Sequence, residues 1–332
     1  MGALSSINSE RISNFTKKYG IVIALFLMIV VISILRPNFL MPRNLFNVLM
    51  QSSIFGIMAL GVTVIIISGG IDLSLGSTLA LAGIIGASFG QTVDASNRIL
   101  PFLPQMPLIV PIIVTLLIGS LCGGTSGMLI AKRGLPPFIA TLGMMTILRG
   151  FTLIYSRGRP VSDLLPSYAI FGDRLFDVVP VPVIVYAIAI IVTYIILNHT
   201  SLGLNAYAIG ANVNAAAVNG VNIKKSLVLI YAYGGLLCGL AALVFAGRVG
   251  SVHPGAATGF ELTAIAATII GGTSTAGGVG KVSGAVIGAL VLGVLNNGMT
   301  LLDVDAYWQS VVQGLIIIVA VTIDMRKNAK KS

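Results

Sequence analysis

The hydrophobicity pattern of the chain consists of apolar runs separated by short polar segments. Runs of about 20 residues match a helix that crosses a bilayer core of about 30 Å. Because lipid offers no hydrogen bonds to the backbone, such runs form helices rather than open strands. The pattern therefore predicts an all-α polytopic membrane protein with about ten transmembrane helices. The predicted spans cover roughly residues 20–35, 52–67, 78–90, 108–131, 138–155, 183–197, 227–246, 261–270, 282–299 and 308–323.

The polar ends of the chain complete the predicted domain organisation. Residues 1–19 form a basic amino-terminal lead, residues 20–324 a transmembrane domain, and residues 325–332 a basic tail. The first apolar run is not followed by a signal-cleavage pattern, so we interpret it as a retained span. Hydrophobic residues make up 56% of the chain and charged residues only 9%, with a mean hydropathy of +1.00. A soluble domain carries about 25% charged residues, so the composition excludes one.

The net charge of +10 comes from basic residues in short loops and near the ends. This distribution argues against nucleic acid as a partner and follows the positive-inside rule. We therefore expect both termini in the cytoplasm, on the same side as Lys132, Arg133, Lys224, Lys225 and Lys281. Six acidic residues fall on the opposite side: Asp94, Asp163, Asp173, Asp177, Asp303 and Asp305.

Residues 68–77, with the sequence SGGIDLSLGS, interrupt the apolar pattern between two spans. A carboxylate at membrane depth is costly unless it meets a partner or a cavity, so Asp72 is a candidate functional residue. The alternative is that Asp72 lies in a cytoplasmic turn and caps the following span. In the first case its role is either to pin a broken helix or to line a pathway, and Ser74 adds a hydroxyl beside it.

Residues 271–281, with the sequence GGTSTAGGVGK, only superficially look like a phosphate-binding loop. The motif requires Gly at position 275 and Ser or Thr at position 282, where the chain has Thr275 and Val282. No other segment offers a nucleotide site or a catalytic constellation, so we expect no enzyme and no cofactor. Cys122 and Cys238 lie among small apolar residues, which is typical of helix packing rather than of a metal site.

Residues 198–226 form the one long polar segment after the amino terminus. We predict a short helix over residues 215–218, capped by Asn214 and stopped by Gly220. The segment is either a solvated connector or a surface helix that receives a partner. Elsewhere, small residues at four-residue spacing predict close helix packing, within the chain rather than between copies. They are Gly119, Gly123 and Gly127; Gly235 and Gly239; and Gly280, Gly284 and Gly288.

Four ordered motifs resemble the permease subunit of ribose- and galactoside-type bacterial sugar ABC importers. They are SGGIDLSLGS at residues 68–77, PPFIATLGMMTILRG at 136–150, SLGLNAYAIGANVNAAAVNGVNI at 201–223, and the glycine-rich stretch at 261–298. The resemblance implies a fold similar to the vitamin B12-type permease and a coupling helix at residues 207–223. This chain has Gly210-Ala211-Asn212 where Gly-Gly-Asn is usual. The expected ATPase-coupling residues are Tyr207, Gly210, Asn212, Ala215, Ala216 and Gly220.

The resemblance also implies the partners and the location. They are a second permease copy or close paralogue, a cytoplasmic ABC ATPase, a periplasmic sugar-binding protein and membrane lipid, in a bacterial inner membrane. The predicted function is ATP-driven import of a pentose or hexose; the alternative is an ion-coupled transporter that needs no ATPase. We expect Arg157 and Arg159 to dock the sugar-binding protein. The expected pathway or gate residues are Asp72, Ser74, Arg248, Glu261 and Thr273.

Overall fold

A computed structural model describes residues 20–176 and 179–329. The predicted amino-terminal lead, Asp177 and the last three residues of the tail lie outside the described residues. The α-helices of the described part are α1 (Gly20–Leu35), α2 (Pro42–Ile67), α3 (Leu75–Phe89), α4 (Ile109–Arg133), α5 (Pro137–Ser156), α6 (Val181–His199), α7 (Ser201–Ala211), α8 (Val213–Val218), α9 (Ile223–Val249), α10 (Phe260–Ile270), α11 (Val282–Leu301) and α12 (Ala306–Ala329). Two 3₁₀ helices (Pro37–Leu40 and Pro166–Phe171) and the antiparallel strands β1 (Arg174–Leu175) and β2 (Val179–Pro180) complete the fold.

Among the described residues, seven helices are long and apolar enough to cross a membrane: α2, α4, α5, α6, α9, α11 and α12. Three shorter apolar helices accompany them: α1, α3 and α10. The predicted all-α polytopic class is therefore confirmed. Two helices are longer than the predicted spans: α2 begins at Pro42 rather than residue 52, and α12 continues to Ala329. The sequence pattern did not predict α7, because it lies within the polar segment.

Helix α2 forms the centre of the bundle. It is 94% buried over its most apolar stretch, and it packs against α6, α9, α10 and α11. A helix that is apolar on all sides has no face for water, so it is buried on all sides. Two of its hydroxyl groups are satisfied locally: Ser53 and Thr63 each donate to the backbone carbonyl four residues earlier, both at 2.7 Å. By contrast, none of the most apolar stretch of α12 is buried within the chain.

Helices α4 and α9 touch backbone to backbone along a glycine seam, which we define as Gly119, Gly123, Gly127, Gly235 and Gly239. A side chain at Gly119 would collide with the backbone of Gly235 and Gly239. A side chain at Gly123 would collide with the Tyr231 carbonyl. The predicted packing within the chain is thereby confirmed, because both sides of the seam belong to the same molecule.

The bundle has two different ends. At the loop end, Arg36 forms a salt bridge with Asp303 at 2.8 Å, and Arg174 lies over the ring of Phe46. At the lysine end, the carboxyl end of α4 and the amino end of α9 border a cleft of about 420 Å³ with Lys132, Lys224 and Lys225 on its rim. The loop end also holds residues 157–176, where Val161 bridges to Val252 and the Gln91 amide donates to the Ser162 carbonyl. The lysine pairs therefore lie at the end opposite Asp163 and Asp303.

Candidate functional site

The first break in the helices covers residues 68–74, between α2 and α3. Its turn is organised by Asp72, whose Oδ1 accepts hydrogen bonds from the Ser74 backbone N–H at 2.8 Å and from the Ser74 hydroxyl at 2.6 Å. Only 1% of Asp72 is exposed, and its Oδ2 has no protein partner among the described residues. The structure thus combines parts of both sequence interpretations, because Asp72 orders the start of α3 yet is not in a solvent-exposed turn.

The second break covers residues 271–281, between α10 and α11. Three of its glycines, Gly272, Gly277 and Gly278, have φ between +71° and +90°, a conformation that glycine adopts without strain. The break is tied to α12, because the backbone N–H and hydroxyl of Thr275 both donate to Asp324 Oδ2, at 2.9 and 2.7 Å. Thr273 is fully buried, and its hydroxyl has no partner in the part of the chain described.

The two breaks meet at the lysine end of the bundle. The Gly278 N–H donates to the carbonyl of Ile67, the last residue of α2, at 2.8 Å. A side chain at Gly277 would contact both Gly69 and Gly210. Segments from α2, α7 and the second break therefore share one contact region with room only for glycine.

Helix α7 connects the polar segment to this contact region. The Tyr207 hydroxyl donates to the Gly280 carbonyl at 2.9 Å, and burial raises the pKa of Tyr207, so the donor stays protonated. Gly210 packs against the Ile67 carbonyl and the Gly278 N–H, where no side chain fits. Two of the predicted coupling residues, Tyr207 and Gly210, thus link α7 to both breaks.

The other predicted coupling residues, Asn212, Ala215, Ala216 and Gly220, lie in or directly beside α8. The prediction that Asn214 caps it is wrong: the cap is Asn212, whose Oδ1 accepts from the Ala215 N–H at 3.0 Å, because the helix begins two residues earlier than expected. Gly220, with φ +83°, follows the end of the helix as predicted. Ala216 is buried against the chain, whereas Ala215 and Val218 are exposed, Val218 at 88%.

Glu261 and Arg149 flank the segment that leads from α9 to α10. Arg149 donates to the carbonyls of Pro254 and Ala256, at 2.6 and 3.0 Å, although it belongs to α5. Glu261 is 8% exposed; its Oε1 accepts from the Gly259 N–H at 3.2 Å, and its Oε2 has no partner among the described residues. The bare backbone of Gly76 makes room for this carboxylate. Glu261 was among the expected pathway or gate residues, but its burial and the contacts of Arg149 were not predicted from the sequence.

The predicted arginines lie apart from these groups, at the loop end. Arg157 follows α5 with φ 52° and is exposed, as is Arg159, whose guanidinium donates to Asn97 Oδ1 at 3.4 Å. Arg248 lies in the last turn of α9 with an exposed side chain, and its backbone packs against Gly172. The structure therefore places Arg157 and Arg159 together on one surface, whereas Arg149 contacts the segment before α10.

A cavity of about 230 Å³ lies between α2, α10 and α12. Its wall includes two aromatic rings, Phe55 and Phe260, whose centroids are 4.7 Å apart with an angle of 62° between the planes. Polar side chains complete it: Thr258, Thr263, Ser310 and Gln313. Sequence reasoning missed the cavity. A signal was present, because Gln313 is a polar residue inside an apolar run.

The described residues offer few side chains that could bind a metal or a cofactor. Nowhere in the ranges 20–176 and 179–329 do three His, Cys, Asp or Glu side chains form a group that would hold a metal ion. Cys122 and Cys238 are both buried, and neither forms a disulfide in this structure. The candidate functional features are therefore the two breaks, the Arg149–Glu261 region and the cavity.

Comparison with known proteins places these features in context. A family model described as "Branched-chain amino acid transport system / permease component" matches residues 44–321. The ribose import permease protein RbsC of Bacillus subtilis (strain 168) is 40% identical over 315 residues, which is 94% of both chains. RbsC of Escherichia coli (strain K12) is 42% identical over 310 residues, or 92% of both chains. The galactose/methyl galactoside import permease protein MglC of the same strain is 36% identical over 335 residues, covering 99% of this chain and 100% of MglC.

The two kinds of match differ in the substrate that they name. The family description names amino acids, whereas the full-length relatives import sugars. The full-length matches are the more specific, because they align nearly every residue of both chains. No solved structure matches the chain significantly.

Proposed function

The chain belongs to the family described as branched-chain amino acid transport system, permease component, and from this premise we propose that its own substrate is a monosaccharide such as ribose or a galactoside. It is a permease subunit of an ATP-binding cassette importer, embedded in a bacterial inner membrane by several spans. The single observation that carries the proposal is the full-length similarity to sugar import permeases. The hydrolysis of ATP then belongs to a separate subunit.

The chemistry of the cavity supports a sugar over an amino acid. An amino acid carries an ammonium group and a carboxylate, and both need charged or strongly polar partners inside a membrane protein. The described residues that line the cavity carry no charge: Phe55, Thr258, Gly259, Phe260, Leu262, Thr263, Ser310, Gln313, Gly314 and Ile317. A sugar is uncharged and needs only hydroxyl and amide partners.

We propose that the ATPase contacts α8 and that α7 transmits its movement. The support is a continuous set of contacts: exposed Val213 and Val218 on α8, Asn212 between the two helices, and Tyr207 and Gly210 of α7 against the two breaks. Ala216 fixes α8 to the chain, and Gly220 ends it. A push on α8 would thus reach the ends of α2 and α10.

The complete assembly is proposed in the same way. Seven long and three shorter apolar helices among the described residues support about ten spans in a B12-type arrangement, with the lysine end in the cytoplasm. A second permease copy would complete the pathway, and a periplasmic sugar-binding protein would dock at the loop end through Arg157 and Arg159. Within each copy, Asp72, Ser74, Glu261 and Thr273 would shape the interior of the pathway, with Arg248 near its outer gate.

The test is uptake by proteoliposomes that contain the permease with its ATPase and receptor. Labelled ribose or galactose should enter only when ATP and receptor are both present, and isoleucine should not. Uptake of isoleucine in place of the sugars would contradict the proposal.

The alternative, ion-coupled transport, is favoured by one observation: the carboxylates of Asp72 and Glu261 each have an oxygen without a protein partner in the described ranges. The same proteoliposomes distinguish the two mechanisms. With ATP held constant, a proton uncoupler should leave sugar uptake unchanged. Uptake that persists without ATPase and collapses with the uncoupler would establish ion coupling instead.

A further inference from the structure

We propose that the cavity between α2, α10 and α12 is a transient binding site for one monosaccharide, with Phe260 as its stacking platform. The inference rests on the proposed function and adds the place within this chain where the sugar binds. Phe260 lies between two other aromatic rings, because its centroid is 4.7 Å from that of Phe55 and 6.2 Å from that of Phe245. Phe260 lines the cavity and is only half-buried. Phe55 also lines the cavity but is only 6% exposed.

The depth of the cavity in the membrane follows from the length of α10. This helix has 11 residues, which at about 1.5 Å per residue is roughly 17 Å, or about half of a bilayer core. Its carboxyl end meets the second break at the lysine end, so its first turn, with Phe260 and Thr263, lies well inside the membrane. Irregular backbone such as residues 257–259, directly before this turn, is tolerated at that depth only against protein or a water-filled cavity.

The hydroxyl groups of the wall are arranged as acceptors. Thr258 donates to the Gly255 carbonyl at 2.9 Å, Thr263 to the Gly259 carbonyl at 3.3 Å, and Ser310 to the Ala306 carbonyl at 3.1 Å. Each hydroxyl proton is therefore used within the chain, which leaves the oxygen lone pairs to accept from a ligand. A sugar hydroxyl is the complementary donor.

Gln313 supplies a hydrogen-bond donor and a further acceptor for the sugar. One N–H of its amide donates to Asn296 Oδ1 at 2.9 Å, which fixes the orientation of the side chain. Its second N–H and its carbonyl oxygen can then bond two neighbouring sugar hydroxyls. The apolar C–H face of a pyranose or furanose ring would pack on Phe260, so the wall matches both sides of a sugar.

The volume selects the size of the ligand. About 230 Å³ is the volume of roughly eight liquid-water molecules and lies below the range of about 300–1,000 Å³ that is usual for drug-sized ligands. A single five- or six-carbon sugar is of this size, and a disaccharide is not. The volume of the cavity therefore matches one monosaccharide.

Saturation-transfer NMR on the purified permease–ATPase complex, without receptor, tests the proposal. The probes are ribose, galactose and maltose at millimolar concentration. We expect signals from the two monosaccharides and none from maltose. Phe260→Leu, which keeps apolar bulk but removes the ring face, should reduce the signals by about five- to tenfold, and Phe260→Tyr should restore them.

Controls separate binding from folding and from the proposed function. Phe151→Leu alters an exposed ring on α5, remote from the cavity, and should leave the signals unchanged. If Phe260→Leu does not assemble, Gln313→Leu gives the same test. Equal signals from maltose, or full monosaccharide signals in both Phe260→Leu and Gln313→Leu, would overturn the inference. If the wild-type proteoliposomes still import sugar with ATP, the proposed function would stand while the site falls.

Discussion

The two breaks, residues 68–74 and 271–281, interrupt apolar helices at the same end of the bundle but are held in different ways. The first is organised mainly by a side chain within it, because Asp72 accepts two hydrogen bonds from Ser74 at 2.8 and 2.6 Å. Thr141 of α5 and Tyr231 of α9 also donate to its Ile71 carbonyl, but at the longer distance of 3.4 Å. The second is held from outside: Asp324 of α12 binds Thr275, Ile67 of α2 binds Gly278, and Tyr207 of α7 binds Gly280.

This difference indicates different mechanical properties. A turn closed by its own carboxylate keeps its shape when neighbouring helices move. A loop with three glycines at positive φ, held by three separate helices, changes shape when any of them moves. The first break is therefore the fixed side of the contact region, and the second is the side through which α7 acts.

Removing the contact region that both breaks share should have the largest effect. Gly210→Val would place side-chain atoms on the Ile67 carbonyl and the Gly278 N–H, so we expect destabilisation by about 3 kcal/mol or more and loss of sugar uptake. Thermal unfolding in detergent and uptake measure the two. Gly143→Ala is the control, because no atom lies within 4 Å of the added methyl group. Comparable stability of the two variants would show that the breaks do not depend on this contact.

The second-largest effect is expected from loss of the Asp72 carboxylate, which organises the first break. Asp72→Leu leaves the Ser74 N–H and hydroxyl buried without their acceptor, at a cost of about 1–3 kcal/mol for each unsatisfied group. Asp72→Asn keeps an acceptor oxygen and should retain most of the stability and uptake. If Asp72→Asn alone abolished uptake without lowering the unfolding temperature, a role in proton transfer would replace the structural one.

Loss of the carboxylate that holds the second break should uncouple ATP hydrolysis from sugar transport rather than unfold the protein. Asp324→Ala removes the acceptor for Thr275, which we expect to lower stability by about 1–2 kcal/mol while reducing the sugar imported per ATP hydrolysed. Asp324→Asn should recover part of that ratio. Parallel losses of hydrolysis and uptake, with the ratio unchanged, would mean that this break is as fixed as the first.

The smallest expected effect is at the contact with α7. Tyr207→Phe deletes the hydrogen bond to the Gly280 carbonyl, worth about 0.5–1.5 kcal/mol, and should leave folding intact. The ratio of sugar imported to ATP hydrolysed should fall by less than in Asp324→Ala. A larger fall than in Asp324→Ala would identify α7, rather than α12, as the main support of the second break.

Much of the fold was accessible from the sequence because lipid imposes a simple rule. Apolar length predicted the long helices, lysine pairs predicted that one end differs from the other, and the spacing of Gly119 and Gly123 predicted the close approach of α4 and α9. The same rule fails at polar segments. Asn212 rather than Asn214 caps α8, since two Asn at a spacing of two residues give equal local signals.

The site was less accessible because its residues meet only after folding. Asp324 and Thr275 are 49 residues apart, and Phe55 meets Phe260 across two different spans. Sequence patterns along one helix carry no information on such pairs. Gln313 and Glu261 were the visible clues, as polar side chains within or beside apolar runs, but their partners came only from the three-dimensional arrangement.

The glycine seam also constrains the order in which the helices pack during synthesis. Helix α4 ends at Arg133 and α9 begins at Ile223, so about 90 residues are translated between them, which takes on the order of 5–20 s at about 5–20 residues per second. During that interval the glycine face of α4 has no matching backbone and borders lipid or the insertion machinery. The amino-terminal half therefore cannot complete its own packing. A nascent chain that stops before Gly239 leaves part of the glycine face of α4 without its partner. In this permease, the packing of α4 is therefore completed only after α9 has been inserted.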